Sequence, residues 1–416
     1  MPAVVGGGLG DIAEVLDAGR VLRHGGFPTI LFRPAGRPAP RDLDGPWGFE
    51  GVERRTTLAP HARRALTVTP NWGVSAAPDR PGALGRGGVW SEEAEAIERR
   101  YGRDATVHVS LEEFARTLTS REENAERWRE GGRTAREIRR LRRTAAFAKD
   151  VERFHREFRR FRGFDRPNVL HLFQTFRPRA AFAREFPEAV QVGPIWPAPA
   201  VRPHRSARAS VDWVWYASPS SSAKSVAEID RGLRGSPVRG LTVRSPRALP
   251  IPRDSPVRWS VEPARSPAVW GERFAAASLR IVTGSRTLLE ALALGGPFLY
   301  DNGVLGGGRR RHRHRPEKIR SLLAGWRSRG ESPTVLRDLD SFSRGRRVAS
   351  VVRAAATDPE WSRRFPRLPP VDGFPNDRRD GGAYLLRVAR AFATDRETST
   401  ELVRRLREGA PVRRRH

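Results

Sequence analysis

The chain has 416 residues, a formal net charge of +30 and no cysteine. That length allows two or three domains with sizeable cores, while 38% hydrophobic and 30% charged residues exclude a disordered chain and the lack of cysteine excludes disulfides and thiolate metal sites. No apolar run reaches the ~18 residues that span a bilayer and no basic-then-apolar leader opens the chain, so a cytoplasmic protein is expected.

Residues 3–8 (AVVGGG) read as a short strand entering a glycine turn. Ile12, Val15, Leu16, Gly19 and Leu22 recur at helical spacing over 11–24, and Gly25-Gly26 stops that helix. Residues 28–33 form the next strand. Strand, glycine turn, helix and strand within ~30 residues make a βαβ unit, which calls for a parallel sheet. Residues 34–90 read as loops and short strands such as Leu66–Thr69, and 91–162 as densely charged helix.

That helical stretch has two readings. One is solvated faces laced with Glu–Arg pairs. The other is a basic amphipathic face for a membrane or acceptor, built from Arg139, Arg140, Arg142, Arg143, Arg159, Arg160 and Arg162 beside Phe147, Phe154, Phe158 and Phe161. A buried strand is expected at 168–173, a helix near 177–186 and a strand at Val190–Val192. Pro-rich residues 196–210 read as a linker between domains at 1–195 and 211–416. The second half repeats one plan of strand, small-residue turn and helix: 211–217 into Ser218–Ser222 into 223–233, then 279–284 into a helix ending at Gly295 and a strand at 297–300. Residues 381–407 read as helical.

The glycine turn Gly6-Gly7-Gly8-Leu9-Gly10-Asp11 suits a phosphate-bearing ligand. Backbone can approach closely there, and the helix start supplies free N–H groups. It lacks the Gly-Lys-Ser/Thr of a P-loop and the acidic residue of a dinucleotide fingerprint. His312 and His314 have no third ligand nearby, so no metal site is expected.

Gly7–Asp11 resembles the donor loop of starch and glycogen synthases and, more loosely, the opening loop of many GT-B glycosyltransferases, and residues 281–300 (IVTGSRTLLEALALGGPFLY) resemble the donor motif of GT-B glycosyltransferases. Residues 192–197 (VGPIWP) resemble the end of a GT-B N-terminal domain. The resemblance implies two Rossmann-like parallel-sheet α/β domains facing a cleft, and metal-independent transfer of a sugar from a nucleotide-sugar co-substrate with no further cofactor. It implies Gly284, Ser285, Arg286 and Thr287 near the diphosphate and Glu290 on the ribose hydroxyls. Gly7, Gly8 and Gly10 would line the other wall. Lys224 with Ser220, Ser221 and Ser222, together with Arg286, would stabilise the leaving diphosphate. Asp11 is either the acceptor's general base or a helix cap.

Val5 and Val282 replace a lysine and a glutamate of the family pattern, which leaves retention or inversion of configuration open. The net charge should attract anionic partners such as nucleic acid, acidic lipid or phosphorylated substrates, and the basic, Phe-rich helical segment 134–164 suggests an anionic or lipid-linked acceptor and peripheral contact with the inner membrane face. A nucleotide-sugar 2-epimerase of the same fold, and an Arg-rich nucleic-acid-binding protein, are the alternatives. No dedicated nucleic-acid module is found for the latter.

Overall fold

A computed structural model describes residues 9–32, 53–55, 63–70, 91–112, 114, 117–130, 132–197, 212–218, 221–245, 248–262, 267–303, 305, 317–367 and 369–409. The chain divides into two units. Unit 1 comprises residues 1–40, 49–195 and 374–416, and unit 2 comprises 41–48 and 196–373.

Unit 1 opens with α1 (Leu9–His24), followed by β1 (Ile30–Phe32) and β2 (Glu53–Arg55), which pair with each other in parallel. Next come β3 (Ala65–Pro70), α2 (Ser91–Tyr101), β4 (Thr106–Glu112), α3 (Ser120–Glu130), α4 (Ala135–Leu141), α5 (Ala145–Arg162), β5 (Val169–Gln174), α6 (Ala180–Glu185) and β6 (Ala189–Val192). The main sheet is parallel, in the order β3-β4-β5-β6. The strand expected at 3–8 lies outside the described residues.

Residues 91–162 are not one helical block. Thr106–Glu112 is a fully buried strand in the middle of the sheet. Its pattern has the period of two that a strand requires. Val107, Val109 and Leu111 join Ala18, Leu22, Leu170 and Leu385 in one core. His108, Ser110 and Glu112 occupy the opposite face, also buried. Burial of both faces, with polar residues on one, hid the strand among charged helices.

The phenylalanines of α5 correct a second expectation. Phe147 and Phe154 are buried, and Phe158 packs with Phe164, Phe173, Phe182 and Phe186 beneath the sheet. The aromatic side of this helix is core, and only its basic side faces water. The Phe161 side chain lies outside the described residues.

Unit 2 contains β7 (Asp212–Tyr216), α7 (Ala223–Leu233), β8 (Gly240–Arg244), β9 (Arg258–Glu262), α8 (Pro267–Ala276), β10 (Leu279–Val282), α9 (Gly284–Leu294) and β11 (Phe298–Tyr300). It then runs through α10 (Glu317–Ser328), α11 (Pro333–Ser343), α12 (Val348–Thr357) and α13 (Pro359–Arg363). Its five strands are all parallel, in the order β11-β10-β7-β8-β9. The chain leaves β7 toward β8 and β9, then crosses back to lay β10 on the other side of β7.

The last two helices, α14 (Gly381–Thr394) and α15 (Ser399–Arg407), return to unit 1 rather than closing the 211–416 half. Tyr384, Leu385, Val388, Leu402 and Leu406 enter the core formed by α1, β4, β5 and β6. The crossing point explains the V-G-P-I segment. Gly193 donates its N–H to Arg378 O at 2.7 Å, and Gly381 donates to Pro194 O at 3.1 Å. A Cβ on Gly193 would overlap the Arg379 carbonyl. Only glycine lets the two backbones pass.

Candidate functional site

In an open parallel sheet, ligands gather beyond the carboxyl ends of the strands where the strand order reverses. In unit 2 that reversal falls between β7 and β10. Loop ends and helix starts there carry backbone N–H groups that the helices cannot use.

Behind β10, Thr283 is the N-cap of α9 and its hydroxyl donates to Asp301 O at 2.8 Å. Asp301 N–H donates to Val282 O at 2.8 Å, and Asp301 Oδ1 accepts from Gly303 N–H at 2.8 Å. The ends of β10 and β11 are thereby tied to the start of α9. Gly284, the first residue of α9, has φ +79°, a left-handed conformation that a side chain resists. A Cβ there would meet nothing within 4 Å, so the need for glycine is conformational and the space beside it is open. Ser285 is buried, and its Oγ accepts from the Lys318 ammonium at 2.5 Å. Lys318 is 4% exposed and stands at the start of α10. That helix is held by the buried row Ile319, Leu322, Leu323 and Trp326.

Arg286 and Glu290 sit one turn apart on α9 and pair with each other, Nε to Oε1 at 2.7 Å. Two residues expected to serve different parts of one ligand are therefore joined before it arrives. An ionised carboxylate has about four acceptor positions, so Glu290 keeps capacity beyond this bond. The charge of Glu290 also reaches Tyr216 at the end of β7: burial pushes the Tyr216 hydroxyl above its ordinary pKa, Arg244 opposes that, and Glu290 adds to it. Arg244 lies 5.5 Å from the Tyr216 ring centroid and 5.7 Å from that of Trp270. The Thr287 hydroxyl turns back onto Thr283 O within the helix.

Behind β7, Ser221 N–H donates to Ser218 O at 2.9 Å and Ser222 N–H to Ser225 Oγ at 3.0 Å, which shapes the turn into α7. Ser220 lies outside the described residues. Lys224 is exposed on the first turn of α7. Buried polar atoms without a hydrogen-bond partner gather along this edge of unit 2: Ser221 Oγ, Trp270 Nε1 and Asn302 Oδ1. Such atoms cost stability unless a ligand or water satisfies them.

In unit 1, Gly7 and Gly8 lie outside the described residues. Gly10 is the second residue of α1 and Asp11 the third, inside the first turn rather than capping it. The Asp11 side chain is not among the described residues. One turn on, Glu14 is 6% exposed and accepts from Gln174 Nε2 at 3.5 Å, at the carboxyl end of β5. Gln174 Oε1 in turn accepts from Ile195 N–H at 2.8 Å. Sequence reading missed Glu14 and Lys318 alike. Glu14 was hidden within an amphipathic helix. Lys318 carried one signal, that a chain with 77 basic residues has only three lysines.

A cavity of about 520 Å³ also lies in unit 1, lined by Arg64, Tyr101, Arg103, Asp104, Arg396 and Glu397. It is at the amino end of β4, the end of a parallel sheet that ligands rarely use. No group of three or more potential metal ligands occurs among the described residues.

No protein-family model and no curated protein sequence matches the chain. Solved structures similar to it include MurG of Acinetobacter baumannii, at 12% identity over 85% of this chain and 92% of that one, with a TM-score of 0.36. UGT2 of Phytolacca americana, complexed with UDP-2-fluoro-glucose and pterostilbene, is 11% identical over 97% and 98% of the two chains, with a TM-score of 0.46. The calicheamicin glycosyltransferase CalG4 is 14% identical over 93% and 96%, with a TM-score of 0.37.

Proposed function

We propose that the chain is a metal-independent, nucleotide-sugar-dependent glycosyltransferase of the GT-B type. The donor would be held at the carboxyl edge of the unit 2 sheet and the acceptor on unit 1. One observation carries this reading: the run Gly284–Pro297, which resembles the GT-B donor motif, stands at the strand-order reversal of a parallel sheet, behind a left-handed glycine and beside a buried ammonium.

The chemistry asked of such a site is to stabilise a departing nucleoside diphosphate. Free N–H groups of the first turn of α9 offer a fixed positive field to the charge that develops on the leaving oxygens. Arg286 lies on that turn, and Ser221, Ser222 and Lys224 on the facing turn behind β7 add donors. Glu290 would accept from the ribose hydroxyls with the capacity left beside Arg286. In unit 1, Asp11 would take the proton of the acceptor hydroxyl. Glu14, one turn along the same helix, is a second carboxylate at that end of the sheet.

The acceptor we favour is anionic or lipid-linked. The exposed Arg136, Arg139, Arg140 and Arg143 of the α4–α5 surface support that preference, and with it peripheral contact with the inner membrane face.

Calorimetric titration of wild type and Glu290→Ala with a panel of nucleotide-sugars tests the donor assignment. The variant should bind its best donor at least ~10-fold more weakly, the loss expected of a hydrogen bond to a charged group. Equal binding by both proteins would remove Glu290 from the site. Incubating donor without acceptor separates transfer from epimerisation, since only an epimerase would change the sugar.

A further inference from the structure

We infer that Arg286 is a positioning residue for Glu290: it holds that carboxylate in the conformation that accepts from the ribose hydroxyls, and it is not a ligand of the diphosphate. The inference rests on the donor-site reading and changes the part that Arg286 plays in it.

The pair is local and close. Arg286 and Glu290 stand one turn apart on α9, and Arg286 Nε donates to Glu290 Oε1 at 2.7 Å. Their side chains are 20% and 28% exposed, so both are largely shielded from water. The backbone beneath them is fixed, because Leu288, Leu289 and Leu292 of the same helix are buried. The charge of Glu290 is felt at Tyr216, at the end of β7. Its carboxylate therefore lies toward the strand-order reversal, where the donor would bind.

Helix stability does not account for this arginine. Arg286 is the third residue of α9, in the first turn, where a cation opposes the helix dipole. A pair at i, i+4 also supports a helix better with the acid first, and here the base comes first. What the arginine does supply is orientation. An unheld glutamate samples several rotamers, and binding must then freeze one of them. The bond to Arg286 freezes it beforehand. It engages one oxygen, Oε1, and an ionised carboxylate has about four acceptor positions, so the ribose hydroxyls still find acceptors. The same bond argues against a phosphate role, because a guanidinium already joined to a carboxylate presents little net charge to an anion.

The test is calorimetry of the full chain with uridine, guanosine, adenosine and thymidine diphosphates. For the base that wild type binds best, the nucleoside and the diphosphate lacking both the 2′ and 3′ hydroxyls are then titrated, the nucleoside by competition. Arg286→Met should weaken the diphosphate and the nucleoside by the same factor, about 5-fold, the cost of ordering one rotamer-rich side chain on binding. The diphosphate without hydroxyls should lose less than about 2-fold. Arg286→Lys, which keeps a cation one turn before Glu290, should recover most of the loss. In a Glu290→Ala background, Arg286→Met should add less than about 2-fold, because the group it orients is gone. A loss confined to the diphosphates, with the nucleoside bound as by wild type, would overturn the inference and return Arg286 to the phosphates. Binding of the diphosphate by Arg286→Met equal to wild type would also overturn it, and would leave the donor site standing. A wild type that binds none of the four diphosphates would overturn the donor site itself.

Discussion

At the scale of single residues, the buried polar groups make the sharpest predictions. In unit 1 the Thr67 hydroxyl meets His108 Nδ1 at 2.7 Å, and His108 Nε2 meets Glu98 Oε1 at 3.2 Å. The carboxylate can only accept, so the neutral ring carries its proton on Nε2 and takes one from Thr67. Burial pulls the His108 pKa from 6.5 to about 4, with Glu98 opposing. Between those values the unfolded chain binds a proton that the folded chain does not. Stability is thus fully present above pH 6.5 and declines as pH falls toward 4, by on the order of 3 kcal/mol. Glu98, held below the usual carboxylate range by Asn168, His108, Arg166 and Arg103 against its own burial, acts in the same direction at lower pH. Urea denaturation of wild type and His108→Asn at several pH values checks this. The variant should lose the slope between 4 and 6.5, and an unchanged slope would place its origin elsewhere. Gly284→Ala should cost ~1–2 kcal/mol from the left-handed φ alone. Comparing its melting curve with that of Gly235→Ala, at another open glycine of positive φ, checks that cost. In unit 1, where we propose that the acceptor binds, Asp11→Asn should lower the transfer rate by about 100-fold or more if Asp11 is the base. A larger loss in Glu14→Gln would move that role one turn along α1.

At the scale of elements, two arginines and one glycine hold the helices in place. Arg280, in the middle of β10, is 5% exposed and donates to Phe274 O, Gly295 O and Ala275 O at 2.6, 2.9 and 3.0 Å. It closes the carboxyl ends of α8 and α9, where a cation is favoured by the helix dipole. Burial pulls its pKa down to about 10. Arg280→Met would strand these carbonyls and should cost ~3 kcal/mol or more, read as a lower melting midpoint of unit 2. Arg64 does the same for α14, donating to Phe392 O at 2.9 Å with its guanidinium 4.3 Å from the Phe392 ring centroid. Gly193→Ala should prevent α14 and α15 from docking, because the clash is with backbone that cannot turn aside.

These elements also mark how far the sequence could be read. Helices α1, α7 and α9 and strands β5, β7 and β10 follow from apolar periodicity punctuated by glycine or serine, because local chemistry and final packing agree there. Strand β4 does not, because its polar face is buried too, with His108 bonded to Thr67 and Glu98 and Glu112 bonded to His171 in the interior. The return of α14 and α15 to unit 1 is decided by contacts with residues far earlier in the chain, such as Gly382 against Val21 and Arg64 against Phe392, which no local pattern encodes. The turn at Gly284 was legible as a motif, whereas Lys318 was not, because its approach to Ser285 depends on how α10 packs against β11.

At the scale of the whole molecule, the +30 charge sets solubility and partners rather than the fold. No helix among the described residues is long and apolar enough to cross a membrane. The membrane contact we propose is electrostatic, made by the exposed arginines of α4 and the turn before α5. Flotation with vesicles containing anionic lipid should carry the protein at low salt and release it at high salt. Replacing Arg136, Arg139, Arg140 and Arg143 with glutamine should abolish most of that binding, and retention of it would assign the effect to charge elsewhere. The donor site we propose lies at the strand-order reversal of unit 2. Hydrogen–deuterium exchange, read by peptide with and without the best-bound nucleoside diphosphate, tests it directly. Exchange should slow at 221–225 and 284–287, where helix N–H groups would meet the phosphates. Protection confined to 101–105 and 396–398, around the cavity in unit 1, would contradict it.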